Sequence, residues 1–377
     1  MPEVSRMVQG LEQSGIRKVM ALADGVPDII HLEVGEPLFQ TPEHIVRAGQ
    51  EALSHGYTKY TANWGIASLR KAIAENRNDD YGLELDESNI GVTVGGVGAV
   101  SGIVRAIVDA GERVLVPDPG WPNYAMIVRT AGAEVGFYRL SPEEGFLPTV
   151  DALEEALTPD TKAIIINSPS NPLGTVFPAA VMKEVVDFAS RHDLFVISDE
   201  VYEKIIFDGR HVTAGSLDID GRVIVASSFS KTYAMTGWRV GYAAADENII
   251  RQLAKLQEAF VSCAPGVSQK AAEAALMGPQ DCVGEMRSTY QRNRDAAVDA
   301  LTDAGISFLR PKGAFYIWVD LGCEDSTRFC QEFLRQKKVA VAPGSTFGPS
   351  GEGFIRISLA SREEDIREGI RRLAQFI

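Results

Sequence analysis

Short apolar runs alternate with amphipathic stretches along most of the chain, the pattern of an α/β architecture. It predicts strands at Val92–Val94, Val114–Val116, Val135–Tyr138, Ala163–Ile166, Leu194–Ile197, Val223–Ala226 and Val240–Ala243. Most of these runs are β-branched and continuously apolar, as a strand covered on both faces must be. Residues 178–192 read as one intervening helix, with Pro178 suited to its first turn and Val181, Val185 and Phe188 on one face. After about residue 280 the pattern changes. Phe315, Ile317 and Val319 alternate with Tyr316 and Trp318, and Ile355, Ile357 and Leu359 alternate with Phe354, Arg356 and Ser358. Such alternation predicts antiparallel strands with two distinct faces. Asp281 to Ala304 reads as a long connecting helix, and a terminal helix carries Ile366, Ile370, Leu373 and Ile377 as a core-facing stripe. The expected division is a large doubly wound domain over 43–280, with a mostly parallel seven-stranded sheet, and a smaller α+β domain from 1–42 and 281–377.

Length and composition narrow the options. The 377 residues match two domains, and 45% hydrophobic with 23% charged residues is the balance of a globular protein with a sizeable core. A net charge of −14 repels phosphate backbones, so nucleic acid is not an expected partner, though a local basic pocket for a small anion is compatible with it. Cys263, Cys282, Cys323 and Cys330 show no CxxC spacing and read as reduced thiols. The five histidines form no HExxH pattern, so no metal site is expected. The N-terminus lacks a basic start followed by an apolar stretch, and the uncharged run Ile90 to Val104 is rich in glycine and too short for a bilayer. A cytoplasmic protein without membrane contact is expected.

Three polar loops follow predicted strands, where open parallel sheets place their ligands. Asn167-Ser-Pro-Ser-Asn-Pro-Leu-Gly-Thr175 is stiffened by two prolines and a glycine. It is either a plain strand–helix turn or a rigid mount that presents Asn171 to a ligand oxygen. In Ser198-Asp199-Glu200-Val201-Tyr202, Asp199 is either a helix cap or a carboxylate that keeps a ring nitrogen protonated. The third loop, Ser227 to Tyr242, sets Lys231 among hydroxyls and aromatics. Partial burial there favours the neutral amine that attacks carbonyls, while Ser228 and Arg239 suit an anion.

Together these segments resemble the fold type I pyridoxal-phosphate (PLP) enzymes, specifically the class I and II, aspartate aminotransferase-like aminotransferases. The similarity runs from Gly35-Glu-Pro37 to Arg356-Ile-Ser358 and rests on SPSNPLG, SDEVY and SSFSKTYAMTGWRVGY in that order. The resemblance implies that Lys231 carries PLP as a Schiff base and serves as base in the proton transfer. It implies that Asp199 pairs with the pyridinium nitrogen, that Asn171 and Tyr202 bond the ring's phenolic oxygen, and that Trp121 stacks on the ring. Gly95, Gly96 and Val97 match the phosphate loop at a helix start, with Ser228, Ser230 and Arg239 adding side-chain contacts. Tyr60 resembles a tyrosine that reaches the phosphate from a neighbouring subunit, which implies a homodimer with shared sites. Arg356 would grip the substrate α-carboxylate bidentately, with the Gly35 backbone and the site residues Trp121 and Asn171 beside it.

The implied activity is transfer of an amino group from an L-amino acid to a 2-oxo acid through a PLP/pyridoxamine-phosphate cycle. An aspartate-type preference stays open, because Val97 stands where some relatives specific for acidic substrates carry a polar or basic side chain, and no second basic group stands out in the sequence. A carbon–sulfur β-lyase on the same fold is the alternative, since it needs the same Lys231 and Asp199. A DNA-binding regulator would need a further domain, and the roughly forty residues before the first large-domain helix show no helix-turn-helix pattern.

Overall fold

All seven strands expected between residues 90 and 244 form, and they join one sheet. The structure, a computed structural model, describes residues 2–11 and 14–377. The sheet runs in the order Ile90–Thr93, Gly241–Ala244, Val223–Ser228, Phe195–Asp199, Thr161–Asn167, Arg113–Asp118, Glu134–Arg139. Only Gly241–Ala244 is antiparallel to its neighbours. The alternation inside each apolar run decides which face a side chain joins. Ile164 and Ile166 enter one core with Val196, Val223 and Val225, packed under Met182, Val185 and Phe188 of the Ala179–Arg191 helix. Ala163 and Ile165 enter the other with Ile197, Ile224 and Ala226, under Val100, Ile103 and Val104 of the Gly95–Ile107 helix. Each fully buried aliphatic side chain contributes about 1.5–3 kcal/mol, so both faces must be apolar and the strands read as unbroken runs. Pro178 is the residue before the Ala179–Arg191 helix rather than part of its first turn.

The C-terminal third builds a four-stranded antiparallel sheet in the order Ala342–Pro343, Phe354–Ser358, Tyr316–Asp320, Ser307–Leu309. Ile317, Val319, Ile355 and Ile357 share a core with Tyr290 of the Asp281–Asp303 helix and with Ile366, Ile370 and Leu373 of the terminal Glu363–Ala374 helix. The alternation holds, but the second face is buried as well: Tyr316, Trp318, Arg356 and Ser358 are all 2% exposed or less. Asn171 and Tyr202 from loops of the large sheet meet Arg356 and Tyr316 on that face, and Phe347 covers Trp318. Ile377 departs from the expected stripe, because the helix ends at Ala374 and leaves it 61% exposed. The N-terminal segment joins this part of the fold through Ile30–His31, which pairs in parallel with Val339–Ala340. Among the described residues no helix is long and apolar enough to cross a membrane.

Candidate active site

Three strands of the large sheet end at one cavity of about 530 Å³, a volume suited to a small ligand. The Thr161–Asn167 strand delivers Asn167 and the loop with Asn171. The next strand ends on Asp199, and Val223–Ser228 passes into the short Phe229–Thr232 helix that carries Lys231. A hydrogen-bonded chain ties the first two ends together: Asn171 N–H donates to Asn167 Oδ1 at 2.8 Å, and Asn167 Nδ2 donates to the Asp199 carbonyl at 2.9 Å. The stiff loop is therefore registered against the carboxylate beside it.

Lys231 and Asp199 both lie deep in the cavity. Burial pulls the Lys231 ammonium down to about 8, with Glu36 opposing and Arg356 and Arg239 adding to the effect. Its Nζ donates to the Gly35 carbonyl at 2.6 Å. Burial pushes the Asp199 carboxyl up to about 6, although the Tyr124 hydroxyl donates to Oδ2 at 2.6 Å. Each group therefore holds its charge at a desolvation cost, which a bound partner of opposite charge would relieve. Trp121 stands edge-on to Tyr124, with ring centroids 5.3 Å apart.

A small-residue cradle lies beside them at the start of the 13-residue Gly95–Ile107 helix. Gly95 sits at φ 70°, and a Cβ there would run into the Arg239 guanidinium. A Cβ on Gly96 would lie 3.3 Å from that of Ser228, and one on Gly241 only 2.7 Å from the Gly96 nitrogen. Helix start, serine loop and arginine can approach this closely only because these residues lack side chains. Ser228 and Ser230 Oγ are 2.9 Å apart, and Arg239, at φ 54°, donates through Nη1 to the Thr236 carbonyl at 2.8 Å. Backbone N–H groups at a helix N-terminus, two hydroxyls and a guanidinium form an anion site.

The opposite wall comes from the smaller sheet. Arg356 Nη1 donates to Asn171 Oδ1 at 2.9 Å and Nη2 to the Glu33 carbonyl, while Nε is buried without a partner. Its guanidinium lies 4.3 Å from the centre of the Tyr316 ring. The Tyr316 and Tyr202 hydroxyls are 2.8 Å apart. Gly35 packs against the same tyrosine, since a Cβ there would strike Tyr316 Oη.

The expected residues converge well. Gly35, Gly96, Val97, Trp121, Asn171 and Asp199 line the cavity, and so do Tyr202, Ser228, Ser230, Lys231, Arg239 and Arg356. Gly95 lies just behind it, against Arg239. Tyr60 does not reach the cavity of its own chain and is 86% exposed. The Gly35 carbonyl accepts from Lys231 Nζ. Sequence reasoning passed over Arg17, Glu36, Tyr124 and Tyr316, all of which line the cavity. Tyr124 lies three positions after Trp121, its N–H donating to the Trp121 carbonyl where the Asn123–Thr130 helix begins.

The fold and this strand-end site define a class, and the comparisons agree with it. The chain belongs to the aminotransferase class I and II family, whose model matches residues 27–373, and is an aminotransferase. That family is PLP-dependent. The chain is 41% identical to the aspartate aminotransferase of Pyrococcus abyssi, over 97% of this chain and 95% of that protein. It is 38% identical to aromatic-amino-acid aminotransferase 2 of Thermococcus litoralis, over 99% and 98%. Its structure is similar to that of the Thermus thermophilus aspartate aminotransferase with maleate, at a TM-score of 0.95 and 36% identity, with both chains fully covered.

Proposed function

We propose that this aminotransferase moves the amino group of an L-amino acid to a 2-oxo acid in two half-reactions, using pyridoxal 5′-phosphate held in the strand-end cavity. One observation carries the reading: Lys231, Asp199 and Arg356 face a single cavity beside an anion cradle. The donor set fits the cofactor, since it offers a cradle for a phosphate, a buried carboxylate for a cationic ring nitrogen and a buried amine for an aldehyde. When bound, PLP supplies that aldehyde and a ring that spreads the negative charge left at a substrate carbon.

The chain's own residues do the rest. Gly95, Gly96 and Val97 N–H groups, with Ser228, Ser230 and Arg239, hold the phosphate. Asp199, kept in place by Tyr124 and Asn167, keeps a proton on the ring nitrogen. Asn171 and Tyr202 orient the ring through its phenolic oxygen, and Trp121 covers one face. Arg356 takes the substrate α-carboxylate through its unpartnered Nε and its Nη groups, with the Gly35 segment alongside. Lys231 Nζ, whose depressed pKa supplies neutral amine near pH 8, removes the proton from the substrate Cα and returns it at the adjoining carbon.

The exposed Tyr60 suits a homodimer in which each chain supplies it to its partner's cradle. The two sheets meeting at the cavity support the division into 43–280 and 1–42 plus 281–377. The four free cysteines support a cytoplasmic setting. The test is a half-reaction. Holoenzyme given one amino donor and no acceptor should pass to the pyridoxamine form and release one equivalent of 2-oxo acid. If none of twenty amino acids does this, the reading fails.

A further inference from the structure

Tyr316 lines the cavity without a part in the chemistry set out above, yet its hydroxyl touches a residue that has one. Its Oη lies 2.8 Å from that of Tyr202, and both residues are buried. Among the described residues neither hydroxyl has another hydrogen-bond partner. A hydroxyl has one hydrogen to give and two lone pairs with which to receive. One of the two therefore donates to the other, and the one that accepts keeps its own hydrogen.

The surroundings choose the direction. Tyr316 opens the Tyr316–Asp320 strand opposite Ser358, while Arg356 stands opposite Trp318. Diagonal neighbours on adjacent strands share a face, and the Arg356 guanidinium lies 4.3 Å from the centre of the Tyr316 ring. Burial raises both phenols, Tyr202 further than Tyr316, whose rise the adjacent Arg356 charge opposes. The more acidic hydroxyl is the better donor, so Tyr316 donates and Tyr202 accepts. The rings are fixed for this exchange. Tyr202 stands edge-on to Phe315 and Tyr316, with centroids 5.4 and 5.7 Å away. Gly35 leaves room for the Tyr316 hydroxyl, which a Cβ there would strike.

We propose that Tyr316 is a positioning residue: by donating to Tyr202 it leaves the Tyr202 hydrogen directed into the cavity, towards the phenolic oxygen of pyridoxal phosphate, and strengthens the bond made there. The proposal rests on the cofactor reading above. A hydroxyl that already accepts one hydrogen bond donates a stronger one, by about 10–30%. In the reverse direction Tyr202 would offer only lone pairs to a negatively charged oxygen. A bond donated to that oxygen stabilises its charge and weakens its hold on the proton of the neighbouring nitrogen, the one that Lys231 contributes. Arg17, Glu36, Asp199, Arg239 and Arg356 are the other charged side chains around the cavity, and Tyr316→Phe alters none of them.

The experiment titrates the visible absorption band of holoenzyme with pH in wild type, Tyr316→Phe, Tyr202→Phe and the double variant. Tyr202→Phe should raise the midpoint by about 1–2 pH units, the worth of a charge-assisted hydrogen bond. Tyr316→Phe should raise it by a fraction of that, about 0.2–0.7 unit. The double variant should match Tyr202→Phe, because Tyr316 acts only through Tyr202. Placing 3-fluorotyrosine at position 316, a more acidic phenol of nearly the same shape, should lower the midpoint. An unchanged midpoint in Tyr316→Phe would overturn the assignment, as would an unchanged or raised one in the fluorinated protein, which decides the matter where Tyr316→Phe does not fold. So would two single shifts that add in the double variant, since Tyr316 would then act by another route. Each of these leaves the cofactor reading standing. Wild-type protein that develops no visible band with pyridoxal phosphate would strike that reading and this one together.

Discussion

Two buried charge clusters meet at the end of the Phe195–Asp199 strand, and consecutive residues belong to different ones. Glu200 is fully partnered. Arg77 Nη2 donates to it at 2.8 Å, and Ser198 Oγ, Thr213 Oγ1, His211 and the Ala214 N–H also reach its oxygens. Burial alone would raise Glu200, but the His211 and Arg77 charges outweigh it and hold the carboxyl at about 2. Asp199, one position earlier, has a phenol and one backbone N–H and stands at about 6. Lys231 is equally undersupplied. A buried charge with all its partners fixes the fold, whereas one without them keeps free energy in store for a ligand. Glu200, Glu203 and His211 could by chemistry hold a metal ion, yet Arg77 already bonds both carboxylates there.

The contrast predicts opposite outcomes for the two clusters. Lys231→Ala should lower turnover by at least about 10⁴-fold, since one change removes both nucleophile and base. The apoprotein should lose no stability, measured by denaturant titration. Arg77→Ala should do the reverse: it strands two buried carboxylates and should cost about 3–5 kcal/mol of apoprotein stability. Asp199→Asn should reduce turnover by about 10²- to 10³-fold without lowering the apoprotein's denaturation midpoint. A midpoint that falls as far as that of Arg77→Ala would erase the distinction between the clusters.

The smallest effect is on pH dependence. Lys231 has a folded pKa of about 8 against an ordinary 10.5. Between these values the lysine is protonated in the unfolded chain and neutral in the folded one, so its own contribution to apoprotein stability, read as wild type minus Lys231→Met, should rise with pH across that window and level off above it. That difference grows by at most about 3.4 kcal/mol. A difference between wild type and Lys231→Met that does not change with pH would show that the lysine is not desolvated.

Much of this site was legible in the sequence, and the exceptions have physical reasons. The strands stood out because burial on both faces demands unbroken β-branched runs, as in Ala163–Ile166. Lys231, Asp199 and Asn171 stood out because polar residues directly after such runs lack an ordinary packing role. Tyr316 did not, since an aromatic in an alternating strand reads as core, and its hydroxyl contact with Tyr202 spans 114 positions. Arg17 lies on a short amphipathic helix, where an arginine reads as a solvated face, yet the fold places it in the cavity wall. Ile377 matched the spacing of the terminal helix, but the helix stops three residues before it.

Everything proposed for the cavity depends on which amine holds the cofactor. Holoenzyme supplied with pyridoxal 5′-phosphate should be reduced with borohydride, digested and mapped by mass spectrometry. One modified peptide is expected, with the pyridoxyl group on Lys231 and none in the Lys231→Ala protein. A reduced adduct on another lysine, or no adduct at all in wild-type protein, would contradict the assignment.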